Sequence, residues 1–142
     1  MLTDVDTILE GLLRDLRASR VTLRQDLPGD YAFPVTHEAL AEGVSSLLGE
    51  RTVDLRDQPV VRELLLGHQV VQSDCATAFD DPAFHRMLET YGGLSAQIVT
   101  PVFVGERLTA ILSLHELGAP RAWAEQDVAS CTRTAARLGD LL

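Results

Sequence analysis

The chain has 142 residues, enough for one domain that buries roughly two thirds of its unfolded surface without disulfides or a metal. Twelve basic residues, all of them arginine, stand against 21 acidic ones, and the net charge of −9 disfavours nucleic acid as a partner. No apolar run approaches the roughly 20 residues of a membrane span, and the N-terminus is acidic where a signal peptide is basic, so we expect a cytoplasmic protein without membrane contact.

Apolar residues recur at steps of three and four from Leu2 to Leu16, which predicts an amphipathic helix over residues 2–18. A first strand should follow, because Val21 and Leu23 alternate with Thr22 and Arg24.

The next segments combine loops with short elements. Residues 26–30 have turn composition, and the strand predicted over 31–41 contains Pro34, which cannot donate to a neighbouring strand and therefore favours a sheet edge. Residues 42–51 are predicted to be a loop and 52–55 a short extended piece, after which Asp57 caps a helix over 59–66.

A third strand is predicted over 69–73, and Asp81 with Pro82 then marks the start of a helix that Gly92 and Gly93 end. Two β-rich runs, 95–104 and 107–116, flank the dipeptide Gly105-Glu106, whose leading glycine suits a two-residue type II′ turn. This region is therefore predicted to be a β-hairpin.

The last helix is predicted to begin near Ala124 and to reach the C-terminus. Its apolar residues follow a 4-3-4-3-4 spacing, which is typical of a contact between two helices, at Ala124, Val128, Cys131, Ala135, Leu138 and Leu142. We therefore predict a homodimer built mainly on residues 2–18 and 124–142.

Cysteine and histidine are sparse. Cys75 and Cys131 have no CxxC spacing and are expected to be free thiols. The four histidines lack the close spacing of metal ligands, so no metal site is predicted at His37, His68, His85 or His115.

The hairpin, the segment from Pro120 to Asp127 and the closing helix together resemble the C-terminal half of a GAF domain. The order of elements is similar to that family over nearly the whole chain. The resemblance implies a single GAF domain over residues 1–142 with an α+β, GAF/PAS-like fold: a central antiparallel sheet of five to six strands, terminal helices on one face, and roof helices over a pocket on the other.

Within that family, His115 followed by Pro120-Arg121-Ala-Trp123 resembles the bilin-binding domains of phytochromes and cyanobacteriochromes. The resemblance directs His115 into the pocket. Strand alternation then places Thr109, Ile111 and Ser113 on the same face of the sheet as His115. The residues between them are predicted to face the terminal helices: Leu108, Ala110, Leu112 and Leu114. The position of the chromophore-attaching cysteine falls on Phe84, beside His85, and a phenyl ring forms no thioether.

The resemblance implies a non-enzymatic sensory or regulatory domain that binds a small molecule non-covalently and signals through its terminal helices, to a separate protein or within a longer one. The candidate ligand-binding residues are Phe79, Phe84, His85, Tyr91, Ile111, Ser113 and His115. Two alternatives stay open, a ligand-free dimerisation or scaffold module and a Cys75-dependent enzyme related to free methionine sulfoxide reductase. The cofactor is unknown, with haem on His85 or His115 as a weakly supported option.

Overall fold

A computed structural model describes residues 3–27, 33–51 and 59–142. Its helices are α1 (Asp4–Leu16), α2 (Pro59–Leu65), α3 (Pro82–Thr90) and α4 (Glu125–Leu141), and its strands are β1 (Arg20–Gln25), β2 (Val35–Leu40), β3 (Val70–Gln72), β4 (Leu94–Val104) and β5 (Arg107–Leu117). A short 3₁₀ turn, Cys75–Thr77, was not predicted. The extended piece expected over 52–55, the cap at Asp57 and the start of the strand expected over 31–41 lie outside the described residues.

The strands form one antiparallel sheet in the order β2-β1-β5-β4-β3, so the fold is α+β as predicted. The pairing of Val104 with Arg107 closes the β4–β5 hairpin over two residues, and Gly105 has a φ of 64°, as the predicted turn requires. The strand that follows Pro34 lies at a sheet edge, as its proline indicated.

Local sequence explains where the helices begin. Thr3 and Asp6 form a reciprocal capping box at the start of α1. The Asp81 carboxylate accepts from the backbone N–H groups of Ala83 and Phe84, and Pro82 occupies the first turn of α3. None of the helices in the described part of the chain is long and apolar enough to cross a membrane.

The sheet separates two cores. The helix-side core joins α1 and α4 to one face of the sheet, and its central side chains are Leu9, Leu12, Val21, Leu23, Ile98, Leu112, Leu114, Cys131 and Leu138. The roof-side core joins α2 and α3 to the other face, and its central side chains are Val35, Val61, Leu64, Cys75, Phe84, Leu88, Tyr91, Val99 and Ile111.

The spaced apolar residues of α4 are used within this chain. Cys131, Ala135 and Leu138 are buried in the helix-side core, and Val128 and Leu142 pack against it. The spacing therefore reflects packing on the chain's own sheet and first helix. The homodimer stays a prediction, and the spacing of apolar residues on α4 no longer supports it.

One predicted orientation in β5 is wrong. Ala110, Leu112 and Leu114 face the terminal helices as expected, but Leu108 packs in the roof-side core. The register explains the difference, because Val102 pairs with Ala110 whereas Phe103 pairs with Leu108, which leaves Thr109 unpaired in a β-bulge. One extra residue reverses the alternation beyond it.

Candidate functional site

A small cavity lies between the sheet and the two roof helices, α2 and α3. Its volume is about 40 Å³, and it is lined by Thr22, Arg24, Val60, Val61, Leu64, Met87, Tyr91, Gln97, Val99, Ile111, Ser113 and His115. The helices contribute the apolar side of the wall. The polar side chains come from the sheet and from Tyr91 at the end of α3. This volume holds about three water molecules.

Strand pairing brings the polar groups of the wall together. Thr22 on β1 pairs directly with Ser113 on β5, and His115 pairs with Arg20 on one side and Gln97 on the other. The Cβ atoms of directly opposed residues lie about 5 Å apart, and residues two positions apart on one strand lie on the same face of the sheet. Three adjacent strands therefore place a polar cluster at the centre of the sheet.

Arg20 is completely buried beside this cluster. Its Nε donates to Nδ1 of His115 at 3.1 Å, and its two Nη groups donate to the carbonyls of Ser45 at 3.1 Å and Tyr91 at 2.7 Å. Burial lowers the pKa of Arg20, and the carboxylate of Glu38 opposes that shift. The sequence pattern did not indicate a role for Arg20, because an arginine at the start of a strand ordinarily lies in solvent.

Arg24 and Tyr91 form a second buried pair. Nη1 of Arg24 donates to the carbonyls of Phe33 at 2.9 Å and Glu50 at 3.2 Å, and its Nη2 donates to the Tyr91 hydroxyl. Burial raises the pKa of Tyr91, so the phenol stays neutral. Arg24 thus fixes the loop before β2, the loop after it and the end of α3 around the cavity.

His115 is neutral and held in one tautomer. Burial and the nearby Arg20 and Arg24 lower its pKa well below the usual 6.5. Because Nδ1 accepts from Arg20, the ring proton resides on Nε2. The ring stacks on Tyr91 with centroids 5.8 Å apart. Among the described residues, none accepts a hydrogen bond from this Nε2–H.

Two buried hydroxyl groups also lack a hydrogen-bond partner among the described residues. Thr22 is 1% exposed and Ser113 is 7% exposed, and neither hydroxyl has a hydrogen-bond partner within the described parts of the chain. Gln97 donates through Nε2 to the Gln72 side chain at 2.7 Å. Buried polar groups in folded proteins nearly always have partners, and the cavity is a place where water or a ligand can supply them to Thr22, Ser113 and His115.

The structure brings together four of the seven residues predicted to contact a ligand. Tyr91, Ile111, Ser113 and His115 line the cavity.

The other three predicted residues, Phe79, Phe84 and His85, are not part of the cavity wall. Phe84 is fully buried in the roof-side core and meets Phe79 edge to face at 5.1 Å. His85 bonds through Nε2 to the Phe79 carbonyl at 2.9 Å. These side chains hold the start of α3 in place.

The two cysteines are free, buried and on opposite faces of the sheet. Cys75 belongs to the roof-side core and Cys131 to the helix-side core. Burial raises the pKa of each thiol to about 12, and the neighbouring Asp74 and Asp127 act in the same direction. At neutral pH both are protonated.

The segment after β5 connects several elements. Arg121 donates to the Leu16 carbonyl at the end of α1 at 2.6 Å and stacks on Trp123 at 4.4 Å. The indole N–H of Trp123 donates to the Gln72 carbonyl at the end of β3 at 3.0 Å. This segment therefore ties α1, β3 and the start of α4 to one another.

The residues do not fit a covalently bound bilin. The position that the resemblance gives to the attaching cysteine is Phe84, which is packed in the roof-side core. The cavity of about 40 Å³ is also far smaller than the roughly 300 Å³ at the lower end of drug-sized ligand sites, and the same limit applies to haem. In the described residues, no three metal-ligating side chains come together.

An antiparallel sheet with terminal helices on one face and a helix-roofed cavity on the other defines the chain as a GAF/PAS-like α+β domain. The family model described as "GAF domain" matches residues 2–141, and the chain therefore belongs to the GAF domain family. No curated protein sequence matches significantly.

Several solved structures share the fold. The PixJ GAF domain of Thermosynechococcus elongatus, in its blue-light absorbing form, is 21% identical with a TM-score of 0.77, covering 97% of this chain and 86% of that one. GAF3 of Slr1393 from Synechocystis sp. PCC6803, in its photoproduct state, is 23% identical with a TM-score of 0.77, covering 95% and 88%. The chromophore-binding domain of the bacteriophytochrome RpBphP3 from R. palustris is 16% identical with a TM-score of 0.80, covering 99% and 55%.

Proposed function

We propose that this GAF domain is a non-enzymatic sensory or regulatory unit that binds a small molecule non-covalently in the cavity. The observation that carries the proposal is the group of buried polar atoms on Thr22, Ser113 and His115, which have no partner among the described residues. An unsatisfied buried polar group costs about 1–3 kcal/mol, so these three groups need a partner inside the cavity, either water or a ligand. A bound molecule that replaces cavity water satisfies all three.

Two features support a non-enzymatic role. The thiols of Cys75 and Cys131 are protonated and lie on opposite sides of the sheet, so they do not form a redox pair. His115 is a poor general base for Ser113, because Nδ1 is occupied by Arg20 and Nε2 already carries the proton.

We propose that the signal leaves through the terminal helices. Glu116, next to His115, accepts from the Ser19 hydroxyl at 3.1 Å and lies 3.6 Å from Arg121. Arg121 in turn bonds to the last turn of α1. A shift at the end of β5 therefore reaches the end of α1 through two contacts, and it reaches the start of α4 through Arg121, which lies 4.0 Å from Asp127. The receiver is a separate signalling protein or another part of a longer chain, and a homodimer through α1 and α4 is part of this proposal.

The decisive experiment is native mass spectrometry of protein purified from its own host, followed by thermal-shift screening of metabolites. A ligand at 100 times its Kd adds about 2.7 kcal/mol of stability. Thr22→Val removes one hydroxyl from the cavity and should reduce the ligand-induced shift. Thr134→Val is the matched control, because its hydroxyl bonds to the Ser130 carbonyl on the opposite face of the sheet.

A bound metabolite, or a shift that depends on Thr22, supports the sensor. A ligand-free protein that responds to no compound points to the scaffold instead.

Two further measurements test the output. Hydrogen exchange at the α1–β1 junction and the start of α4 should slow on ligand binding in the parent protein and change less in Arg121→Met, which lacks the bond to Leu16. Light scattering tests the dimer, and a monomer mass at all concentrations contradicts it.

A further inference from the structure

Two buried positive charges lie near the sheet side of the cavity, Arg24 in its wall and Arg20 against His115. Arg20 is 0% exposed and Arg24 is 5% exposed. Within the described parts of the chain, their hydrogen-bond acceptors are neutral: four backbone carbonyls, the imidazole of His115 and the hydroxyl of Tyr91. Within the described ranges, no carboxylate lies at ion-pair distance from either guanidinium.

Glu38 acts on Arg20 electrostatically, but its carboxylate is engaged by the Ser46 hydroxyl and by the backbone N–H of Leu47 at 2.8 Å. It therefore stays outside the cavity wall. Buried charges in proteins are usually paired, and the cavity beside Arg24 is a place where the pairing charge can reside.

The unpartnered groups of the wall are suited to an anion. Nε2 of His115 is a fixed donor, and the hydroxyls of Thr22 and Ser113 are free to donate. Thr22 and Ser113 face each other across β1 and β5, and His115 is two residues farther along the same face. Three donors thus converge from adjacent strands on one volume bordered by Arg24.

The volume restricts the size of the ligand. About 40 Å³ has room for about three water molecules, which corresponds to roughly three or four non-hydrogen atoms. The described residues of the opposite wall are Val60, Val61, Leu64 and Met87, which are all apolar.

We propose that the cavity binds a small oxyanion of carboxylate type, whose oxygens accept hydrogen bonds from Thr22, Ser113 and His115 while Arg24 supplies the opposite charge. This inference rests on the proposed function and names its ligand class. The bound anion stacks its apolar side, where it has one, against the valines and leucine of α2.

The test compares carboxylates with their neutral amides of the same shape. Formate and formamide, and acetate and acetamide, are titrated into the full chain by calorimetry or by two-dimensional NMR, at constant ionic strength and in a buffer without other carboxylates. We expect saturable binding of formate or acetate, and binding of the matching amide at least tenfold weaker, since a hydrogen bond to a charged acceptor is about twice as strong as a neutral one.

Conservative variants locate the site. Thr22→Val and Ser113→Ala each remove one donor with little change in shape, and each should weaken carboxylate binding about tenfold. Thr134→Val should bind like the parent protein. Each variant is first checked for a native NMR spectrum, and the pair provides a second measurement if one of them fails to fold.

The outcomes separate this inference from the proposed function. Equal affinity for amide and carboxylate, or carboxylate binding unchanged in both cavity variants, overturns the oxyanion. A neutral metabolite that stabilises the protein while no small carboxylate binds also overturns the oxyanion but leaves the sensor standing. If neither a small carboxylate nor a neutral metabolite binds, both the oxyanion inference and the proposed sensor are wrong.

Discussion

The Tyr91 hydroxyl offers a direct test of the buried network, because Tyr91→Phe removes one oxygen atom and leaves the ring in place. That oxygen accepts from Nη2 of Arg24, whose other recorded bonds go to the Phe33 and Glu50 carbonyls. The backbone carbonyl of Tyr91, which accepts from Arg20, is unchanged. The variant therefore leaves one guanidinium N–H buried without its acceptor.

A hydrogen bond with a charged partner contributes about 1.5–3 kcal/mol, and we expect Tyr91→Phe to reduce the free energy of unfolding by this amount. The melting temperature should fall by roughly 5–12 °C for a domain of this size. Urea denaturation at pH 7 measures the loss, and Thr134→Val, which removes a buried hydroxyl on the other face, serves as the control.

A double-mutant cycle with Arg24→Met isolates the bond itself. Coupling of at least about 1 kcal/mol between the two substitutions is expected, given the strength of such bonds. A loss below about 0.5 kcal/mol in Tyr91→Phe, with no coupling, would refute the claim that this contact organises the cavity.

Three further predictions concern other parts of the chain. The pKa of His115 is lower in the folded chain, so below about pH 6.5 the unfolded chain takes up a proton that the folded chain does not. The free energy of unfolding should therefore fall as the pH drops, by about 2 kcal/mol at pH 5. Urea titrations at several pH values should show this dependence in the parent protein and not in His115→Gln. Burial raises the pKa of Cys75 and Cys131 to about 12, so an aromatic disulfide reagent should label both thiols rapidly in denaturant. In the native protein, labelling should be no faster than local unfolding, and fast labelling of native Cys75 would contradict the structure. Asp81→Ala should destabilise the protein by about 1 kcal/mol through loss of the α3 cap, whereas exposed Asp80→Ala should have little effect in thermal denaturation.

Local patterns were sufficient to predict most elements of this fold. The hairpin around Gly105, the proline-started helix α3 and the edge position of β2 each depend on one strong local signal. The predicted orientation of Leu108 was wrong because a β-bulge depends on the register between two strands, and no residue near Thr109 indicates one in the sequence.

The candidate site was only partly predictable. Strand alternation correctly grouped Ile111, Ser113 and His115 on the cavity side. Arg20 was missed because an arginine at a strand start ordinarily lies in solvent, and its burial depends on acceptors at Ser45 and Tyr91, far away in sequence. No local signal announced the burial of Thr22 and Arg24 either, because polar residues that alternate with Val21 and Leu23 ordinarily face solvent.

The division of the interior into two cores affects how this domain can change over evolution. Along β5, Ala110, Leu112 and Leu114 meet only the terminal helices, while Ile111 and Ser113 meet only the cavity side. Substitutions at alternate positions of one strand are therefore nearly independent. The cavity wall can therefore change at Ile111 and Ser113 while Leu112 and Leu114 keep the packing of the terminal helices.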